Sequence, residues 1–194
     1  MRAWVALVAV LLIAGPAWAQ GVSPCVPSTA THQRWTMKTR AAPAGGLEDA
    51  QAVTIRQMVR WAVPRGKNLI DEPIVERERT VVTVRGFVRL AKLSPDDCDI
   101  HIQLGAEATR HHPQIIAEIP PDAMALRLRF AVLLGVRVTK AAKYFDGAAA
   151  VPMILTGYAF LDSSHWSSRD SRAGYGHGRG VATLWEIHPV LDVR

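Results

Sequence analysis

Seven side chains in this sequence combine imidazole and carboxylate at spacings that can do chemistry: Asp99, His101, Glu118, Asp162, His165, Glu186 and His188. In an extended strand successive side chains alternate, so residues two apart share a face. Asp99 and His101 therefore point to one side of a strand, and so do Glu186 and His188. Asp162 and His165 fall in the polar segment Asp162-Ser163-Ser164-His165, directly after an apolar run. Imidazole and carboxylate together hold a divalent metal or form a general acid/base pair. In the metal reading His101, His165 and His188, with Asp162 or Asp99, are the candidate ligands and Glu186 is the candidate catalytic base. In the plainer reading the same residues form a buried hydrogen-bonded network, or stand at the surface without a shared role.

Other motifs carry less. Gly174-Tyr175-Gly176-His177-Gly178-Arg179-Gly180 has the glycines of a phosphate cradle, but it lacks a lysine-serine ending and a strand-to-helix turn. It reads as a surface loop. His111-His112 reads as a solvated pair. Ser163, Ser164, Ser167 and Ser168 have no G-x-S-x-G context, so a serine hydrolase has no warrant. Trp185 alternates with Glu186 and belongs to the core, and Trp166, beside His165, reads as a packing residue or as a ring that stacks on a base or sugar.

The elements that must position these groups follow from periodicity. From Gln20 to about Gly46 the chain is rich in Pro, Thr, Ala and Gly, an irregular arm with one strand-like piece, Trp35 to Thr39. Ile55, Met58, Val59 and Ala62 recur at helical spacing and predict an amphipathic helix over 48–62, ended by Pro64 and Gly66. Thr80 to Leu90 alternates, with Val82, Val84, Val88 and Leu90 on one face and Thr83, Arg85, Phe87 and Arg89 on the other; Gly86 suggests a bulge or tight bend. Asp99 to Leu104 alternates again, with Ile100, Ile102 and Leu104 inward. Ile115 to Ile119 is a third strand. Pro120-Pro121-Asp122 opens a helix with Leu126, Phe130, Leu133 and Leu134 on one face and Gly135 after it. Residues 136–150 fit either state. Met153 to Leu161 and Ala182 to Val193 are strands.

Three strands, a helix and two strands is the layout of an OB-like five-stranded barrel, mainly β within an α+β class. The absence of a βαβ rhythm argues against a Rossmann-type sheet. Residues 1–19 read as a signal peptide, 20–78 as an arm and helix packing on the barrel, and 79–194 as the barrel domain. In such barrels ligands bind on the surface of strands two and three and at the loops after strands one and four, and Asp162–His165 falls in the second of those loops.

Arg2 supplies a positive n-region, Val5 to Ala14 an apolar h-region, and Ala17-Trp18-Ala19 the small residues of a cleavage site before Gln20. That grammar predicts export to the periplasm or medium. The apolar run is too short to span a bilayer core, which needs about 20 residues, and no later segment is long and apolar enough. The formal net charge is +6, and +5 without Arg2, a spread-out basic balance that favours an anionic ligand. Two cysteines remain, Cys25 and Cys98. An even count in an oxidising compartment is compatible with one disulfide, tying the mature N-terminus to the middle of the barrel.

A resemblance joins these pieces. Arg34-Trp35-Thr36-Met37-Lys38-Thr39-Arg40, Asp99-Ile100-His101-Ile102, Ile116-Ala117-Glu118-Ile119-Pro120, Thr156-Gly157 through Asp162 to His165, and Trp185-Glu186-Ile187-His188-Pro189-Val190 stand in that order. The chain resembles a broad group of uncharacterised bacterial proteins, many exported, marked by D-x-H, E-I-P, T-G-x-x-F-x-D-x-x-H and terminal E-x-H-P motifs. The resemblance implies that the seven residues form a shared site or polar scaffold; it supplies no activity. Residues 136–150 and 166–180 depart from the pattern. Staphylococcal-type nucleases share the OB-like barrel, but their arginine and carboxylate arrangement is not found here. The sequence thus supports an exported OB-like binding protein without catalysis; the rival is a metal-dependent hydrolase acting on phosphodiesters through the His/Asp/Glu cluster. A third role, an envelope scaffold that binds another protein through the arm, is also open.

Overall fold

The structure is a computed structural model that describes residues 21–27, 34–64, 66, 68, 70–109, 112–166 and 181–194. Residues 1–20, which hold the expected signal peptide, lie outside the described residues, as do His111 and the glycine-rich loop. In chain order the elements are α1 (Trp35–Lys38), β1 (Gln51–Val53), α2 (Ile55–Val59), β2 (Val81–Leu93), β3 (Ile100–Gly105), β4 (Gln114–Ile119), α3 (Met124–Leu134), β5 (Lys143–Tyr144), β6 (Val151–Leu161) and β7 (Val181–Val193).

The strands run β2-β3-β4-β7-β6, and β6 pairs back on β2, which closes a five-stranded barrel. All barrel pairings are antiparallel except β4 with β7, which is parallel. With α3 between the third and fourth barrel strands, this is the OB-like mainly-β fold that the alternation predicts. β1 adds in parallel beside β2, and β5 pairs with it at the other end.

The barrel is filled by the inward half of each strand: Val82, Val84 and Val88, Ile100, Ile102 and Leu104, Ile115 and Ala117, Leu155 and Ala159, Trp185 and Ile187. Trp185 is core, as expected, edge-on to Trp61 at 5.4 Å with its indole N–H donating to the Ala62 carbonyl. Trp166 is partly buried against the core. Gly86 is not the irregular point of β2. The register shifts between Val88 and Leu90, so the inward set passes to Ala91 and Leu93 instead of Leu90. One extra residue in a strand moves every later side chain to the opposite face. At Gly86 the constraint is space, because a Cβ would stand 2.7 Å from Leu104 and 2.8 Å from Ile55.

Three local expectations are corrected. Trp35 to Lys38 is a helical turn, with the Lys38 N–H donating to the Arg34 carbonyl at 3.0 Å. The span 48–62 is not one helix. Gln51–Val53 pairs with β2, and only Ile55–Val59 is helical, opened by a capping box in which Thr54 and Gln57 bond each other's backbone N–H. An available strand edge outcompetes the first turns of a short helix, whose nucleation is costly. Finally, α3 buries Arg127, Phe130, Ala131 and Leu134, while Leu133 is exposed. Gly135 ends the helix at φ 71°, as expected.

Candidate functional site

Strand register assembles the site on the outer wall of the barrel. His101 on β3 lies directly opposite Glu118 on β4. Next to β4, Glu186 of β7 stands opposite Ile116, and Phe160 of β6 stands opposite Glu186. His188, two residues beyond Glu186, shares its face, and Asp99 precedes β3 on the face of His101. The peptide before Pro189 is cis. β6 accommodates β7 there through Gly157, where a Cβ would overlap the Pro189 carbonyl oxygen.

An outer barrel wall normally meets water, yet His188 and Asp99 are 0% exposed, Glu186 1% and Glu118 8%. The N-terminal arm packs against β7 beside them, with Arg34 4.7 Å over the Phe160 ring. Arg34 is its rivet: Nε donates to the Ile70 carbonyl, Nη1 to Glu78 Oε1 and the Leu161 carbonyl, and Nη2 to Glu78 Oε2 and the Glu72 carbonyl, all within 2.7–3.0 Å. Glu78, fully buried, also accepts the backbone N–H groups of Ile74 and Leu161. Both ions are thus paired and hydrogen-bonded, the condition under which buried charge is tolerated. Asp71 accepts the N–H groups of Thr36 and Met37 at the start of α1, and Arg40 stacks 3.7 Å over the Tyr158 ring. Cys25 and Cys98 form a disulfide that fastens the arm's beginning beside Asp99. From below, Arg127 of α3 donates to the Cys98 and Ile119 carbonyls.

Inside this enclosure Glu118 bridges two imidazoles. Its Oε1 lies 2.8 Å from His101 Nδ1, and its Oε2 lies 3.1 Å from His188 Nδ1. The other nitrogen of His188, Nε2, is 3.2 Å from Asp99 Oδ2, and Glu186 Oε2 is 4.0 Å from Nδ1. These are contacts of charge more than aligned bonds, because neither His188 nitrogen and neither Asp99 oxygen has a hydrogen bond of good geometry. Phe160 packs edge-on to His188 at 5.3 Å.

Environment sorts the protonation states. Burial works against the His188 cation, but contact with Asp99 and then Glu118 overrides it and pushes its pKa up to about 9. Burial would raise Glu118, yet His101 and His188 hold it well below the usual carboxylate range. Burial dominates at Asp99, which is raised despite His188. Glu186 is raised well above the usual range by burial and by the charges of Asp162 and Glu118.

Asp162 and His165 pair with each other. Asp162 Oδ1 also accepts the Ser164 N–H and hydroxyl, which spends it on a local turn. The hydrogen bond with Asp162 raises the His165 pKa against burial. The His165 side chain is 45% exposed, the outermost member of the group. His112 lies elsewhere, on Glu107 beside Arg56.

Of the seven residues singled out in the sequence, Asp99, His101, Glu118, Glu186 and His188 form one contiguous network, and the Asp162–His165 pair flanks it. Lys38 is the member that sequence reading misses. Its Nζ is 3.5 Å from Asp97 Oδ2 with the side chain 16% exposed. Burial would lower its pKa, but Glu118, Asp97, Asp162 and Glu186 raise it, so the ammonium stays charged. The i, i+4 spacing of Arg34 and Lys38 is the signal that marks both as neighbours on a helical turn. Among the described residues, Asp99, Glu118 and His188 are the group whose ligand atoms lie within 4.8 Å of one another, close enough for one cation. Comparison with protein-family models, with curated proteins and with solved structures gives no match for this chain.

Proposed function

We propose that this chain is an OB-like binding protein that holds a divalent first-row cation through Asp99, Glu118 and His188. The observation that carries the reading is the donor set itself. One imidazole and two carboxylates lie within 4.8 Å of each other, fully or nearly buried. A mixed imidazole-carboxylate set suits Zn²⁺ or Mn²⁺ better than Ca²⁺, and a bound cation would replace the proton that His188 holds between Asp99 and Glu118. The acid-lined wall takes a cation rather than the anionic ligand that the net charge favours.

Export of the mature chain from Gln20 fits the Cys25–Cys98 disulfide. Among the described residues no helix is long and apolar enough to cross a membrane.

The test is a thermal shift on chelator-treated residues 20–194 titrated with Zn²⁺, Mn²⁺, Ca²⁺ and Mg²⁺, beside His188→Ala. A cation that binds only the folded chain adds about 2.7 kcal/mol at a hundredfold excess over its Kd. At this size that is a rise of roughly 5–10 °C. A rise with Zn²⁺ or Mn²⁺ that His188→Ala abolishes supports the reading. No rise with any cation ends it.

A second reading has one observation in its favour. The Glu186 carboxyl, raised well above the carboxylate range and 4.0 Å from His188, has the proton affinity of a general acid or base. In a metal-dependent phosphodiesterase it would move a proton beside the metal. Metal-dependent cleavage of a phosphodiester that Glu186→Gln removes, with metal affinity kept, would favour this reading; no turnover by the metal-loaded chain would exclude it.

A further inference from the structure

A cleft of about 510 Å³ opens where the arm, α3 and β7 meet, and its volume is that of a small-molecule site. Its walls are Thr39 to Ala41 of the arm, Asp122 to Leu126 at the start of α3 with Pro120 before them, and Pro189 to Leu191 of β7. It shares no residue with Asp99, Glu118 and His188, so a ligand here does not depend on a metal there.

Arg40 brings a positive charge to this cleft that nothing neutralises. Its guanidinium stacks 3.7 Å over the Tyr158 ring, Nη2 donates to the Ala159 carbonyl at 3.2 Å, and Nη1 lies 3.8 Å from Met37 Sδ. Those contacts fix the group without pairing it. Its Nε is buried with no hydrogen bond, and among the described residues Arg40 has no carboxylate partner. Burial lowers its pKa to about 10. Arg34 and Arg89, by contrast, each grip a carboxylate.

The start of α3 adds donors to the same cleft. Its N-cap is Ala123, no side chain caps it, and its first turn holds no acid. The first bond of the helix runs from the Arg127 N–H to the Ala123 carbonyl. Ala125 and Leu126 come before it, and among the described residues their N–H groups have no acceptor. Such groups, at the positive end of a helix dipole, favour an anion. Met124, Leu126, Pro189, Val190 and Leu191 make most of the remaining surface apolar, and Met124 is left 55% exposed. Asp122 is the acid in the lining. It would repel a second negative charge on a ligand, which disfavours a phosphate dianion against a single carboxylate.

We propose that this cleft binds a monocarboxylate with an apolar chain, its carboxylate between Arg40 and the first turn of α3 and its chain over Met124, Pro189 and Leu191. The carboxylate supplies the counter-ion that Arg40 lacks, and a planar fork matches its two oxygens. The anionic ligand that the net charge favours thus has a place apart from the acid-lined wall.

The test is calorimetry on the chelator-treated mature chain with octanoate, beside octanol and octylammonium, for wild type, Arg40→Gln, Met124→Asp and Asp122→Asn. Met124→Asp puts a carboxylate at an exposed place in the first turn, where it favours the helix and competes with the ligand. It tests the cleft however Arg40→Gln folds. The expected result is a single octanoate bound per chain, with octanol and octylammonium at least tenfold weaker. Arg40→Gln and Met124→Asp are expected to weaken octanoate at least tenfold, and Asp122→Asn to bind it at least as tightly as wild type. Octanol as tight as octanoate overturns the carboxylate. A loss below tenfold in Met124→Asp, or in Arg40→Gln with the wild-type circular dichroism, overturns the site. Weaker binding in Asp122→Asn overturns the role given to that acid, and no binding by wild type at millimolar octanoate overturns the whole proposal.

Discussion

His188 Nδ1 and Glu118 Oε2 stand 3.1 Å apart on the outer wall of a barrel, with the imidazole 0% exposed. The two come from strands paired in parallel, and neither side chain reaches the apolar core. Breaking a buried ion pair from one side leaves a charge without compensation and costs about 3–5 kcal/mol, whereas replacing both members with apolar groups is often near neutral. His188→Leu and Glu118→Leu are each expected to lose stability on that scale. The double variant is expected to lose less than the sum by more than about 1 kcal/mol. Urea denaturation of the four chains checks this, and strict additivity would show that the contact carries no energy.

The raised pKa of His188 has a definite sign. The group titrates near 6.5 when unfolded and at about 9 in the fold. Its contribution to stability is full below pH 6.5 and is lost as pH rises through 9. In chelator-treated protein the stability difference between wild type and His188→Leu is expected to shrink between pH 6.5 and 9.5, by on the order of 3 kcal/mol. A difference that is flat or grows over that range contradicts the assigned charge state.

Arg34 uses every donor of its guanidinium, including a two-oxygen grip on Glu78. Lysine has no such fork. Arg34→Lys is therefore expected to destabilise the fold by about 3 kcal/mol and to free the arm first. Thermolysin should cut within residues 34–46 before the barrel unfolds. Cleavage there at the wild-type rate would mean the arm is held by other contacts.

The disulfide closes a loop with a sequence separation of 73. In the chain-entropy model such a link contributes about 4 kcal/mol. The double variant Cys25→Ser, Cys98→Ser is expected to lose stability of that order in urea. A loss below about 1 kcal/mol would show that the arm's start is already confined in the unfolded chain.

The barrel was legible because its strands bury one face, and period-two alternation records that directly at Ile100, Ile102 and Leu104. The site was half legible. The D-x-H and E-x-H spacings put Asp99 with His101 and Glu186 with His188, but the register that sets Glu118 between them is a tertiary fact. Arg34 and Lys38 were missed for a related reason. Their partners lie far along the chain, Glu78 and Leu161 for Arg34 and Asp97 for Lys38, and the composition around them reads as an extended arm. The helix expected over 48–62 failed because periodicity cannot see that β2 offers an edge to Gln51–Val53. At Leu90 a bulge reversed the alternation without any glycine to mark it.

The most direct measurement is anomalous scattering at the zinc edge from crystals of residues 20–194 grown with Zn²⁺. The expected result is a single strong peak with a nitrogen of His188 and carboxylate oxygens of Asp99 and Glu118 at about 2.0–2.2 Å. A peak confined to exposed groups such as His112 and Glu107, or no peak in a crystal whose cluster keeps its direct His188–Glu118 contact, would contradict a metal site and leave the network as architecture.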